Sequence, residues 1–338
     1  MNKDFPVGSH RAPITDDVCE TPRASLSDAI QPSSGESTET LDEIRLLGQP
    51  PLRHYLNVVR DYAVDGAAMN RAALADAWRA ANDYYHELEE NEAGIADELE
   101  VLDLDPTLEP LVEEAKKDPR YAYTFDTFPT RFGMVELDLL VVSQNHITRQ
   151  FSDALQARLG PSPAPETLFR FCLPSETAAA PVEIREVGSR RYIFSSESTD
   201  FRPHDPVLLR PDQILDHSTC GPISGVVGLV VGFGSNFFTG VQYGDRVVLH
   251  NGYHRAHAMR ALGITHAPCI IRTVTRRDEL EVAATRDVAD DPAFYFAAAR
   301  PPLLKDFFDP KIRTVVKVYK TIKMIEVTFE VRDFHVRA

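Results

Sequence analysis

The stretch Asp245–Val274 reads DRVVLHNGYHRAHAMRALGITHAPCIIRTV. Arg255 and two histidines, His254 and His257, follow Gly252 at the start of a short helical pattern. An arginine offers a planar fork of donors that suits phosphate or carboxylate. The first amides of a helix lack partners and together carry about half a positive charge. Placed together, these features make an anion-binding site. Asn251, Gly252, Tyr253, His254 and Arg255 are therefore the expected contacts to a phosphate. Gly252 supplies a backbone conformation, or a closeness of approach, that a Cβ would hinder. His254 and His257 are three apart and off the apolar face, so they add donors or acid–base function near neutral pH. A different role for Arg255 is pairing with a carboxylate such as Asp245. The set His250, His254, His257 and His266 raises the question of a metal. No ordered spacing with Cys or carboxylate supports one, so none is expected.

The elements that position these residues can be read from periodicity. Arg246–His250 is an apolar strand, Tyr253–Leu262 a helix with Ala258, Met259 and Leu262 inward, and Gly263 its stop. Pro268 precedes a second apolar strand. Upstream, Met134–Val142 alternates like a strand and Ile147–Leu159 is a helix closed by Gly160. Leu74, Trp78, Ala81 and Tyr85 make one helical stripe behind Asn70 as N-cap. Asp105-Pro106 and Asp118-Pro119 mark helix boundaries, and the acidic run Glu87–Glu114 reads as a solvated face. From Leu168 the pattern turns to β: Phe169–Leu173 is a candidate strand, and Val182–Val187 with Tyr192–Ser195 a hairpin. Val226–Val231 and Phe237–Val241 read as a hairpin around GFGSN (Gly232–Asn236), with a phosphate cradle as the other reading of that loop. Arg277–Ala284 and Asp291–Ala299 look helical. Thr314–Val331 changes alternation phase, which predicts a bulge or turn near Met324.

Gly252, Tyr253, His254 and Arg255, followed by Ala256, Ala258, Ala261, Leu262, Gly263 and Pro268, form a strand, a G-x-x-R turn, an Ala-rich helix, L-G-I, then Pro and an apolar strand. This pattern resembles the ParB/sulfiredoxin-like superfamily, and Val135–Arg149 is similar to that family's first strand and loop. The resemblance implies an α+β fold with a small mixed sheet and a Gly-x-x-Arg turn that binds nucleotide phosphates. It also implies contacts from the loop after the first strand, here Ser143, Asn145, His146 and Arg149, with His257 as a further candidate. Tyr253 stands where sulfiredoxins carry Cys, so sulfinic acid reduction is not implied. Asp278–Arg286 lacks the partition branch's nucleotide motif.

The expected organisation is a disordered tail over 1–40, a helical region over 41–130, a ParB/sulfiredoxin-like α+β domain with a long β insert over 131–300, and a C-terminal strand extension over 301–338. The chain has 338 residues, 43% of them hydrophobic, and a net charge of -15. That balance argues against broad adhesion to DNA or anionic membrane. Lys311, Arg313, Lys317, Lys320 and Lys323 form a local basic patch, read as a blunted edge strand or a nucleic-acid contact. The four cysteines make no C-x-x-C pair, so a disulfide framework is not expected, and Cys269 reads as a buried apolar residue. Met1–Ile30 shows no secretory signal and no apolar run is long enough to span a bilayer, so a cytoplasmic address without membrane contact is expected. The leading function is binding of a phosphate-bearing small molecule, a nucleotide above all. If catalysis occurs, phosphoryl transfer or nucleotide hydrolysis with Mg²⁺ carried in by the nucleotide is expected. The alternatives are a nonenzymatic protein-interaction or regulatory protein and, more weakly, a DNA-associated partition-like factor.

Overall fold

The computed structural model describes residues 39–175, 180–198, 200–214 and 221–337. The expected tail lies outside them except for its last two residues. In chain order the elements are β1 (Thr40–Leu46), α1 (Leu52–Tyr62), α2 (Arg71–Asn91), α3 (Glu109–Lys117), α4 (Pro119–Phe125), β2 (Thr130–Glu136), β3 (Val141–Val142), β4 (His146–Thr148), α5 (Arg149–Leu159) and α6 (Pro165–Cys172). Then come β5 (Glu183–Gly188), β6 (Arg191–Ser196), β7 (Phe201–Pro203), β8 (Val207–Leu209), β9 (Val226–Gly228), β10 (Val231–Phe233), β11 (Thr239–Tyr243), β12 (Arg246–Asn251), α7 (Tyr253–Ala261) and β13 (His266–Val274). The chain continues through α8 (Arg277–Ala283), α9 (Arg286–Asp290), α10 (Pro292–Phe296), β14 (Arg313–Tyr319) and β15 (Lys323–Thr328). The architecture is mixed α+β, with several small sheets.

The central sheet runs in the order β2-β13-β11-β12-β3. Its β11–β13 and β12–β3 pairs are parallel, while β11–β12 and β13–β2 are antiparallel. Val135, Val247, Leu249, Ile270 and Ile271 are buried there, and Ala256 and Met259 of α7 join the same core. Cys269 is buried among them, as its apolar neighbours predict. A second antiparallel sheet, β14-β1-β4, carries α5.

The capping reading holds where side chains set it locally. Asn70 Oδ1 accepts from the amides of Ala72 and Ala73 at 3.0 and 3.2 Å and starts α2. Asp105 and Asp118 accept from Thr107 and Arg120 amides ahead of their prolines. Other expectations are corrected. The helical region does not begin at Leu41: β1 is a strand flanked by β14 and β4. That pairing also joins the supposed C-terminal extension to the start of the described chain, and Glu39–Ala338 form one compact unit. The supposed strand Phe169–Leu173 lies mostly in α6, started by Pro165 at its first turn. Short apolar runs fit helix or strand equally until their surroundings decide. The GFGSN hairpin does not form: β10 pairs with β7, β9 with β8, and β11 with β12 and β13. The phase change after Thr314 is resolved by a break between β14 and β15, which pair in different sheets. It falls at 320–322, just ahead of Met324. Among the described residues no helix is long and apolar enough to cross a membrane.

Candidate anion-binding site

β12 delivers the chain to the site. Asn251 ends the strand and its Nδ2 donates to the Phe237 carbonyl at 2.9 Å. Gly252 then turns with φ 103°, a left-handed conformation that strains other residues. A Cβ there would sit 2.4 Å from Phe238 Cδ2 and 3.3 Å from Arg255 Nη2. The close approach is therefore to the protein's own Phe238 and Arg255. α7 starts at Tyr253 and ends before Gly263, whose φ of 81° allows the chain to leave it. Among the described residues no acceptor meets the amides of Tyr253, His254 or Arg255, as the geometry of a helix start requires.

The side chains of these three residues differ in what they do. The Tyr253 hydroxyl donates to the Leu249 carbonyl and lies 2.9 Å from Ser143 Oγ. It is a buried strut, so Tyr253 can offer a guest its amide. His254 Nε2 accepts from the Thr148 amide at 3.0 Å, which puts the proton of the neutral ring on Nδ1. Burial, and then the neighbouring His146, push its pKa down to about 4. Among the described residues Arg255 pairs with no carboxylate, Asp245 included. Its Nη1 donates to the carbonyls of Cys172 and Asn236 at 2.8 and 2.9 Å, and to that of Phe171 at 3.4 Å. Nε and Nη2 meet no acceptor among the described residues. Burial without a countercharge lowers the Arg255 pKa to about 10.

Asn251, Gly252, Tyr253, His254 and Arg255 line a cavity of about 780 Å³ together with Asn145, Ser143 and His146. Two other expected contacts are elsewhere. Arg149 lies 3.7 Å from Asp42 and does not line the cavity. His257 points inward: its Nδ1 is 2.7 Å from Ser152 Oγ and its ring stacks on Phe308 with centroids 4.5 Å apart. The GFGSN loop contributes a wall. Its Gly234 amide is taken by Asp200 Oδ2 at 2.9 Å, and its Asn236 carbonyl holds Arg255.

Sequence reading did not anticipate five charged or titratable wall residues: His54 of α1, Arg158 of α5, Asp200 ahead of β7, Arg202 of β7 and Asp287 of α9. They come from distant elements and carry no local signal. Arg158 lies over the Phe171 ring at 5.0 Å and Arg202 is paired with Asp200. His146 and His250, also in the wall, are held neutral by burial first and nearby guanidinium groups second, with pKa values near 4 and 3. The cavity thus gathers cationic or proton-accepting groups around two carboxylates, Asp200 and Asp287.

No family model matches this chain, and no curated protein or solved structure matches it. The reading of the cavity rests on its own chemistry.

The basic patch offers less than its composition suggests. Lys317 pairs with Asp42 at 2.9 Å, and Lys320 with Glu39 and Glu197 at 2.9 and 3.1 Å. Lys311 sits 4.1 Å from the centre of the Tyr84 ring.

Proposed function

We propose that the cavity at the start of α7 binds a phosphate-bearing small molecule, with a nucleotide as the leading class. The observation that carries the reading is the buried guanidinium of Arg255, which has no carboxylate partner among the described residues and lines the same cavity as the start of α7. A buried charge without a counterion is costly. A phosphate at the helix start would relieve that cost and satisfy the amides. His254 and Arg158, which also line the cavity, would add donors. The cavity volume is in the range of small-molecule sites, roughly 300–1,000 Å³.

Among the described residues no group of three His, Cys, Asp or Glu side chains converges. A Mg²⁺ brought by phosphates keeps several waters and needs about one or two carboxylates. Asp287, which lines the cavity and forms no ion pair among the described residues, fits that role. Bound there, the ion would neutralise phosphate charge.

The test is thermal unfolding with a panel of nucleotides, with and without Mg²⁺. A ligand at about 100 times its Kd stabilises the fold by roughly 2.7 kcal/mol. Wild type should show such a shift with at least one nucleotide, and Arg255→Ala should lose it. Because Arg255 also ties down three carbonyls, Arg158→Gln serves as the second variant: it keeps those bonds and should weaken binding about tenfold. The absence of a shift with every nucleotide would sink the reading and favour a protein-interaction role.

A further inference from the structure

A second cavity of about 870 Å³ adjoins the first and shares Arg202, His250, Asn251 and Thr285 with it. Arg272 of β13 faces this second cavity. It is 7% exposed, near the end of β13, an inner strand of the central sheet. Its Nε is enclosed without an acceptor, and among the described residues no carbonyl or carboxylate meets any of its nitrogens. The nearest compensation is the face of Phe125, with the guanidinium carbon 5.8 Å from the ring centre. The acids in reach are otherwise engaged or apart. Asp200 holds Arg202 and the Gly234 amide, and Asp205 lines the same cavity without pairing to Arg272.

This differs from every buried arginine that serves the fold. Arg246 has Asp97, and Arg300 has Asp306 and Glu92. An unmatched buried guanidinium is among the most costly groups a protein can keep. It is tolerable where an incoming anion supplies the missing partner. The other walls of this cavity include Tyr123, Val207, Val230 and Phe233. They suit an apolar body.

We propose that Arg272 is the anion-binding residue of this second cavity, and that its ligand is an oxyanion carried on an apolar or aromatic body. The guanidinium takes two oxygens side by side, and Tyr123 and Phe233 cover the body. The inference is independent of nucleotide binding at α7.

Phenyl phosphate and phenylacetate are the probes, titrated separately into the full chain in an oxyanion-free buffer. Calorimetry gives the affinity, and the ¹H–¹⁵N signal of the Arg272 Nε–H, identified by its loss in Arg272→Met, reports the contact. One of the two probes should bind with Kd below about 1 mM, move that signal, and lose at least about tenfold in Arg272→Met. Which probe binds tells phosphate from carboxylate. Without ligand, Arg272→Met should melt no lower than wild type, because it removes an unmatched charge. An unmoved Nε–H signal with both probes at saturating concentration overturns the proposal; if Arg272→Met fails to fold, Arg272→Lys, which also lacks that Nε–H, identifies the signal. So does binding that survives Arg272→Met and disappears in Arg158→Gln, which would put the anion in the neighbouring cavity.

Discussion

Arg300 and Arg255 are both buried arginines, and the protein treats them in opposite ways. Arg300, 1% exposed, is saturated. Nη1 and Nη2 grip the two oxygens of Asp306, Nε and Nη2 reach Glu92 at 3.2 and 3.0 Å, and Nη1 reaches the Tyr85 hydroxyl at 3.1 Å. Tyr85 in turn donates to the Arg300 carbonyl at 2.9 Å, which ties α2 to the segment ahead of β14. Arg255 has three carbonyls on one nitrogen, no carboxylate among the described residues, and a cavity beside it. A charge whose partners are all supplied by the chain is part of the scaffold. A charge left short of partners at the edge of a void is one that the proposed anion would complete.

Substitutions can break this contrast. Arg300→Met should be the most damaging, costing about 3–5 kcal/mol, because it strands the buried Asp306. Chemical denaturation would measure it, and a loss under about 1 kcal/mol would mean the knot is not structural. Arg255→Met should cost less, about 2–3 kcal/mol, since it leaves neutral carbonyls unpaired rather than a charge. If it equalled Arg300→Met, Arg255 would belong to the scaffold too. Gly252→Ala should cost about 2 kcal/mol from its φ of 103° and the contact with Phe238, and should also weaken any phosphate binding by shifting the start of α7.

Acid sharpens the comparison further. His146, His250 and His254 are held well below their ordinary pKa inside the fold. The unfolded chain takes up their protons near pH 6.5 while the folded one does not. Stability should therefore fall as pH drops from about 6.5 toward about 4, and level off below the folded values. A bound phosphate should make the fall shallower, with proton uptake on binding visible as a buffer-dependent calorimetric heat. A melting temperature that is flat across that window would mean the imidazoles are not desolvated. Arg272→Met is expected to have the smallest effect on the unliganded fold, with a melting temperature equal to or above wild type.

The sequence was most legible where the physics is local. Asn70, Asp105 and Asp118 cap helices through their own side chains, and Gly252 and Gly263 bracket α7 by backbone conformation. The turn and helix start over Asn251–Arg255 were readable for the same reason. What could not be read depends on distant neighbours. Phe169–Leu173 carries an apolar run with no period of its own. Thr40–Leu46 becomes a strand only because β14 and β4 flank it. Arg272 looks like one charged residue in a mostly apolar strand, and its want of a partner exists only once Phe125 and the second cavity are in place beside it. His257 was misplaced because helical spacing alone does not say which neighbouring helix covers a face: α5 covers it through Ser152.

The pairing of β1 with β14 has a consequence for biosynthesis. β4, whose Thr148 amide holds His254, hangs on one edge of β1, and β14 occupies the other. While the ribosome is still making the chain, β1 must wait with an open edge until Arg313–Tyr319 has emerged. A nascent chain stalled before that point would carry the arginine-bearing helix and most of its walls, yet present an unsealed strand to every other nascent chain nearby.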